Sequence, residues 1–220
     1  MKKFILSILA IAAMTSCTKT SEDDVDPNAP VEIKLGGSIT ALSKAAVTDN
    51  TFTAQVASSE TTGNYATPLW SGTNAGKITV SDGSVTFTQT EYYPNDGGTV
   101  YMKGFAPQAA INTGQVAYTI SGKEDIMVTS EISGSRTDNT NKELTFNHLL
   151  TQLKFKLVAE NADAITYWGS ITSITVKDVE KDRVLNLNTG ELTVAPTPNK
   201  GDLEVSEGFT SKELTTTPAE

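Results

Sequence analysis

One cysteine and one histidine are all that 220 residues contain of the side chains most used for disulfides and tetrahedral metals. That scarcity excludes an internal disulfide framework and a metal site built from a Cys/His set, and no cofactor is expected. Basic residues are also few, 17 Lys and Arg against 26 Asp and Glu for a net charge of −9, and they form no cluster. A field of that sign repels phosphate, so nucleic acid is not an expected partner. Beyond the first sixteen residues there is no long amphipathic helical pattern and no repeat of fixed period, which sets helical bundles and solenoids aside.

The one sustained apolar run lies at the start. Lys2 and Lys3 precede an apolar stretch from Phe4 to Met14, followed by Thr15, Ser16 and Cys17. A basic end, an apolar core of about ten residues and small residues before a cut make a secretory leader, too short to remain as a spanning helix. The cut is expected between Ser16 and Cys17, leaving Cys17 as an acylated N-terminus. Lipidation also resolves the oddity of an exported chain with one unpaired thiol. Several acyl chains on Cys17 would hold firmly where a single chain holds only marginally. Loss of the leader leaves 15 basic residues against 26 acidic ones, a net charge of −11.

Residues 1–16 are therefore expected to be a lipoprotein signal peptide and 17–30 an acidic tether, with Glu22, Asp23 and Asp24 in its middle and Pro27 and Pro30 near its end. Such a segment buries too little apolar surface to offset the entropy of ordering it. From Val31 onward the pattern is strands. Val31, Ile33 and Leu35 alternate with polar residues, as do Phe52, Ala54 and Val56, and Val116, Tyr118 and Ile120. Ile78 and Val80, then Asp82 and Gly83, then Val85 and Phe87 spell a tight hairpin. Further short runs fall at Val100–Phe105, Ile126–Val128, Leu153–Leu157, Ile171–Val176, Val184–Leu187 and Leu192–Val194. Many short strands at such spacing predict an all-β sandwich over 31–195. Residues 196–220 are expected to be a flexible tail or the start of a second domain that is absent or truncated.

Between Leu144 and Leu157 the apolar positions are even-numbered up to His148 and odd-numbered from Leu149. A one-residue slip reverses every side chain, so a kink is expected near His148. The imidazole is read as hydrogen-bonded at that kink rather than as a catalytic base, because no nucleophile elbow accompanies it. Gly72 to Lys77 has three residues between its glycines and Ile78 after the lysine, which fails the phosphate-loop spacing. Asp178, Glu180 and Asp182 are read as solvated charges, and Asp138 to Asn141 as an ordinary turn without calcium-loop spacing. No enzyme is expected.

Several segments together resemble the fimbrillin family, subunits of type V pili of Gram-negative anaerobes. They are Tyr92, Tyr93 and Pro94 with Asp96 to Gly98, Val100 and Tyr101, then Gly104 to Pro107; Asp125 to Val128; Phe146 to Leu150 with Leu153 and Phe155; and Ile171 to Val176 leading to Leu187 to Gly190. The resemblance covers about 31–195 and corresponds to the family's N-terminal domain. It implies a transthyretin-like β-sandwich, outer-membrane and cell-surface placement through the lipid, and assembly with other pilus subunits by strand exchange. It implies that an N-terminal strand is cut away by a trypsin-like protease, here between Lys44 and Ala45. It also leaves room for a receptor on a host or bacterial surface. The alternative is a monomeric surface lipoprotein that binds a glycan or another extracellular ligand through Trp70, Tyr92, Tyr93, Tyr167 or Trp168.

Overall fold

The computed structural model describes residues 29–40, 51–197, 199–205 and 211–217. Among them, sixteen strands and one helix follow in order: β1 Leu35–Ile39, β2 Thr51–Ser59, β3 Lys77–Ser81, β4 Ser84–Phe87, β5 Val100–Ala106, β6 Ile111–Asn112, β7 Gln115–Thr119, β8 Met127–Thr129, β9 Ile132–Gly134, β10 Lys142–His148, α1 Ala162–Trp168, β11 Ser170–Ile171, β12 Thr175–Glu180, β13 Asp182–Asn186, β14 Glu191–Val194, β15 Lys200–Glu204 and β16 Lys212–Glu213. The all-β expectation holds.

The predicted hairpin forms where Asp82 and Gly83 both take positive φ, 49° and 82°, so the turn twists with β3 and β4. From it a sheet runs β2, β3, β4, β1, β10, β8, β5, and closes on itself because β2 also pairs with β5. Closure depends on a division of labour along β2: Thr51 to Gln55 face β3, and Gln55 to Ser59 face β5. β8 and β9 share the far edge of β5, with a one-residue slip between them.

Inside the ring, side chains of one parity meet. Val80, Met102, Leu144 and Phe146 form its centre, with Ile33 and Leu35 reaching in from the N-terminal segment. Phe52 meets Phe146 edge-on at 5.1 Å. The opposite parity of β2, β5 and β8 carries Ala57, Phe105 and Val128 to the outside of the ring. There a four-stranded sheet, β14, β13, β7, β6, covers them with Val116, Leu185 and Leu187. Both faces of β5 are therefore covered, and six of its seven residues are buried.

Two sequence expectations change. The strand over Leu153 to Leu157 is not formed: residues 151–159 carry no strand, and Leu153, Phe155 and Leu157 are 60%, 44% and 43% exposed. Alternation supplies a face but not a neighbour, and β10 ends at His148. The run over Ile171 to Val176 splits into β11 and the start of β12. Among the described residues beyond 196, β15 pairs with β12 and β16 with β11. The short helix α1 was not foreseen; Asn161 caps it by accepting from the Ala164 N–H at 2.9 Å.

Candidate functional site

The N-terminal segment closes the ring between β10 and β4. Val31 and Ile33 point inward as their alternation predicts, but the first contacts are made with residues 91–93 rather than with a full strand. The Ile33 N–H donates to the Glu91 carbonyl at 2.9 Å, and the Tyr93 N–H to the Val31 carbonyl at 3.0 Å. From Leu35 the chain turns onto β10 and runs parallel to it for five positions, Leu35 opposite Lys142 through Ile39 opposite Phe146. On its other side β1 pairs with β4 at one position only, Gly36 opposite Ser84. A groove of about 480 Å³ lies beside that pair, lined by Ile33, Leu35, Val85 and Phe87 among others. A parallel ladder is slightly weaker per residue than an antiparallel one. Two adjacent glycines, Gly36 and Gly37, weaken β1 further, since each costs about 0.5–1 kcal/mol in a strand interior.

Without residues 31–40, the edges of β10 and β4 would face each other unpaired across an apolar trench. Unpaired edges of that kind accept strands from other chains. Arg136 fastens the near end of the segment, donating from Nη2 to the Ala29 carbonyl at 3.0 Å and from Nη1 to Asn95 Oδ1 at 2.8 Å. Glu91, only 6% exposed, accepts from the Gly76 N–H at 3.0 Å while its own carbonyl holds Ile33. Burial pushes the Glu91 carboxyl above the usual carboxylate range, against the pull of that N–H. An acid raised on folding contributes stability that is fully present below its unfolded pKa, about 4.3, and is lost as pH rises through the folded value. Glu91→Gln is therefore expected to remove that loss, so that the parent's urea midpoint declines relative to the variant's as pH rises from about 4 to 7. The same pH dependence in both would contradict the assignment.

The profile of the Fimbrillin-like family matches residues 31–220. The chain belongs to the fimbrillin-like family. No curated protein matches the sequence. A solved candidate cell adhesion protein from Bacteroides uniformis superposes with a TM-score of 0.55 at 17% identity, covering 82% of this chain and 73% of that one. A second, from Bacteroides ovatus, gives a TM-score of 0.47 at 18% identity over 83% of this chain and 75% of that one. The first of these likenesses shows a shared fold.

Other residues of the fimbrillin-like chain singled out by sequence lie elsewhere. Ser16, Cys17, Lys44 and Ala45 fall outside the described residues. His148 closes β10 with its side chain 4% exposed and Nδ1 2.7 Å from Asp125 Oδ1, the hydrogen-bonded kink the phase slip predicted. Gly72 to Lys77 is a turn leading into β3. Glu180 pairs with Lys200 at 3.2 Å, and Asp182 accepts from Thr119 Oγ1 at 2.7 Å. Asp138 accepts from Lys142 Nζ at 2.7 Å. Among the described residues no group of three or more acidic, histidine or cysteine side chains could hold a metal. Of the aromatics, Tyr93 is buried and Trp70 packs edge-on to Phe87 at 5.8 Å, whereas Tyr167 and Trp168 stand 81% and 69% exposed.

A second polar cluster supports the wall opposite the seam. Glu131 accepts from Thr62 Oγ1 at 2.6 Å, the Gly63 N–H at 2.8 Å and the buried Tyr65 hydroxyl at 2.7 Å. Burial pushes its carboxyl up, but those donors and the Lys103 charge bring it below the usual range. Its hydrogen bonds are satisfied within the fold, a structural role. Sequence reasoning missed Glu91, Arg136 and the glycine pair in β1. The pair carried a readable signal, because glycine inside a strand pattern marks a close approach.

Proposed function

We propose that this chain is a structural or adhesive component of a cell-surface pilus, joined to other subunits by exchange of strands at the β1 seam. Export as a lipoprotein through Cys17 places it on the outer membrane. Cleavage between Lys44 and Ala45 by a trypsin-like protease severs residues 17–44, with the strand built on Val31, Ile33 and Leu35, and an extended segment of a neighbouring subunit takes the place of that strand. The ring and its covering sheet are read as a closed form of the transthyretin-like sandwich. One observation carries the proposal: the N-terminal strand completes a closed ring while holding one flank by a parallel ladder and the other by a single pair. Family membership and the adhesion designation of the Bacteroides uniformis neighbour support the same reading.

Surface fibres isolated from cells producing the protein provide the test. N-terminal sequencing of this chain within fibres is expected to give Ala45, and Lys44→Ala is expected to remove the chain from fibres while leaving it at the surface. Fibres whose subunits retain residues 31–44, or cells whose fibres never contain the chain, would sink the proposal. A second reading, a monomeric lipoprotein that stacks a glycan, draws on the exposed Tyr167 and Trp168, whose rings meet edge-on at 5.4 Å. Saturable sugar binding by a chain absent from fibres, lost in Trp168→Ala, would favour it.

A further inference from the structure

We infer that the β1 seam selects its occupant by size: the strand that fills it must place glycine against Val80 and Val85, with larger apolar residues at the inward positions on either side. This inference rests on the strand-exchange reading of the same seam. The inward positions of the resident segment are Val31, Ile33, Leu35, Gly37 and Ile39, and all but one are large and apolar. At Gly37 a Cβ would lie 2.8 Å from Val85 Cγ2 and 3.0 Å from Val80 Cγ1. These two valines are directly paired across the hairpin, Val80 opposite Val85, and Val80 is 2% exposed. Their χ1 angles are stiff, so neither methyl swings aside cheaply. Two β-branched residues fixed by one tight turn thus form a gate.

The neighbouring glycine shows the contrast. Gly36 faces outward, and a Cβ there would press on the carboxylate of Glu143, an exposed side chain free to move. Gly36 is therefore replaceable and Gly37 is not. The groove of about 480 Å³ beside Leu35 and Gly36 also borders Val85, so the side of the gate without room to yield is Val80, 2% exposed inside the ring. A one-residue slip would bring Gly36 or Ser38 to the gate but turn the large apolar residues outward, and a two-residue slip would bring Leu35 or Ile39 to the gate. The gate and the apolar face together fix the register of the incoming strand. The partner is an extended segment with alternate apolar residues interrupted by a glycine, whichever way it runs.

Peptides carrying residues 31–40 test this. The full chain cut between Lys44 and Ala45 is loaded with fluorescent native peptide, which is then displaced by unlabelled native, Gly36→Val or Gly37→Val peptide. Overpacking of a formed core leads us to expect Gly37→Val to compete at least about tenfold more weakly than the native peptide, and Gly36→Val to stay within about threefold. Equal competition by all three would overturn the gate and leave strand exchange standing. Failure of the native peptide to bind the cut chain would overturn both. The same substitutions in the intact chain give a second measurement. Gly37→Val should lower the urea midpoint clearly more than Gly36→Val, and equal midpoints would also overturn the gate.

Discussion

Phe146→Ala is expected to lower the free energy of unfolding by about 3–5 kcal/mol. The ring of Phe146 has no solvent exposure, sits in the middle of β10 and meets Phe52 edge-on. It also occupies the space that a side chain on Gly104 would fill, 2.9 Å from that position, so β5 and β10 approach each other through it. A cavity left there could not collapse easily, because every wall is a strand whose edges are paired around a closed sheet. The loss also reaches the seam, since Ile39 lies opposite Phe146 and the Thr40 N–H donates to its carbonyl at 2.8 Å. Urea unfolding followed by near- and far-ultraviolet dichroism measures it; a loss below about 1 kcal/mol would mean that the ring is not packed as described.

Leu35→Asp is expected to expel β1 without unfolding the rest. Leu35 is 5% exposed and faces the apolar interior, and an unpaired carboxylate in such a place costs on the order of 3–5 kcal/mol. The least costly relief is to give up the pairings of residues 31–40, which run along β10 on one flank and on the other meet residues 91–93, the Gly83 carbonyl and β4 at one position. Local opening of a weakly held unit is the usual response when its own contacts are the ones damaged. In hydrogen exchange, amides of residues 33–39 and the β10 edge should lose most of their protection while those of β5, β7 and β13 keep theirs. Uniform loss across all strands would show that the seam is not a separable unit, and strand exchange would lose its physical basis.

Much of this was legible in the sequence, for identifiable reasons. Asp82 and Gly83 fixed a turn by their own backbone preferences, and Val31, Ile33 and Leu35 announced their inward face by parity. The change of parity at His148 located the end of β10, where the backbone turns to pair Leu149 with Ile126. Periodicity says nothing about which strand finds which. Nothing in Leu35 to Ile39 or Lys142 to His148 marks them as parallel partners 107 residues apart, and nothing in β2 marks it as the strand that closes the ring. Leu153, Phe155 and Leu157 show the converse, a strand-like pattern without a described neighbour to pair with. The groups around the seam were hidden for another reason. Arg136 acts on the Ala29 carbonyl, and Glu91 takes the Gly76 N–H on its carboxylate while its own carbonyl holds Ile33, bonds to the backbone that leave no motif.

The parallel run of β1 beside β10 also bears on mechanical load. Force applied between the start of the N-terminal segment and the far end of β10 acts along both strands. With β1 drawn from Val31 and β10 held from its far end, the two slide lengthwise past each other, and the five facing positions share the load together instead of parting one by one. A wall held on one flank by a single pair is thus oriented to withstand traction along its length.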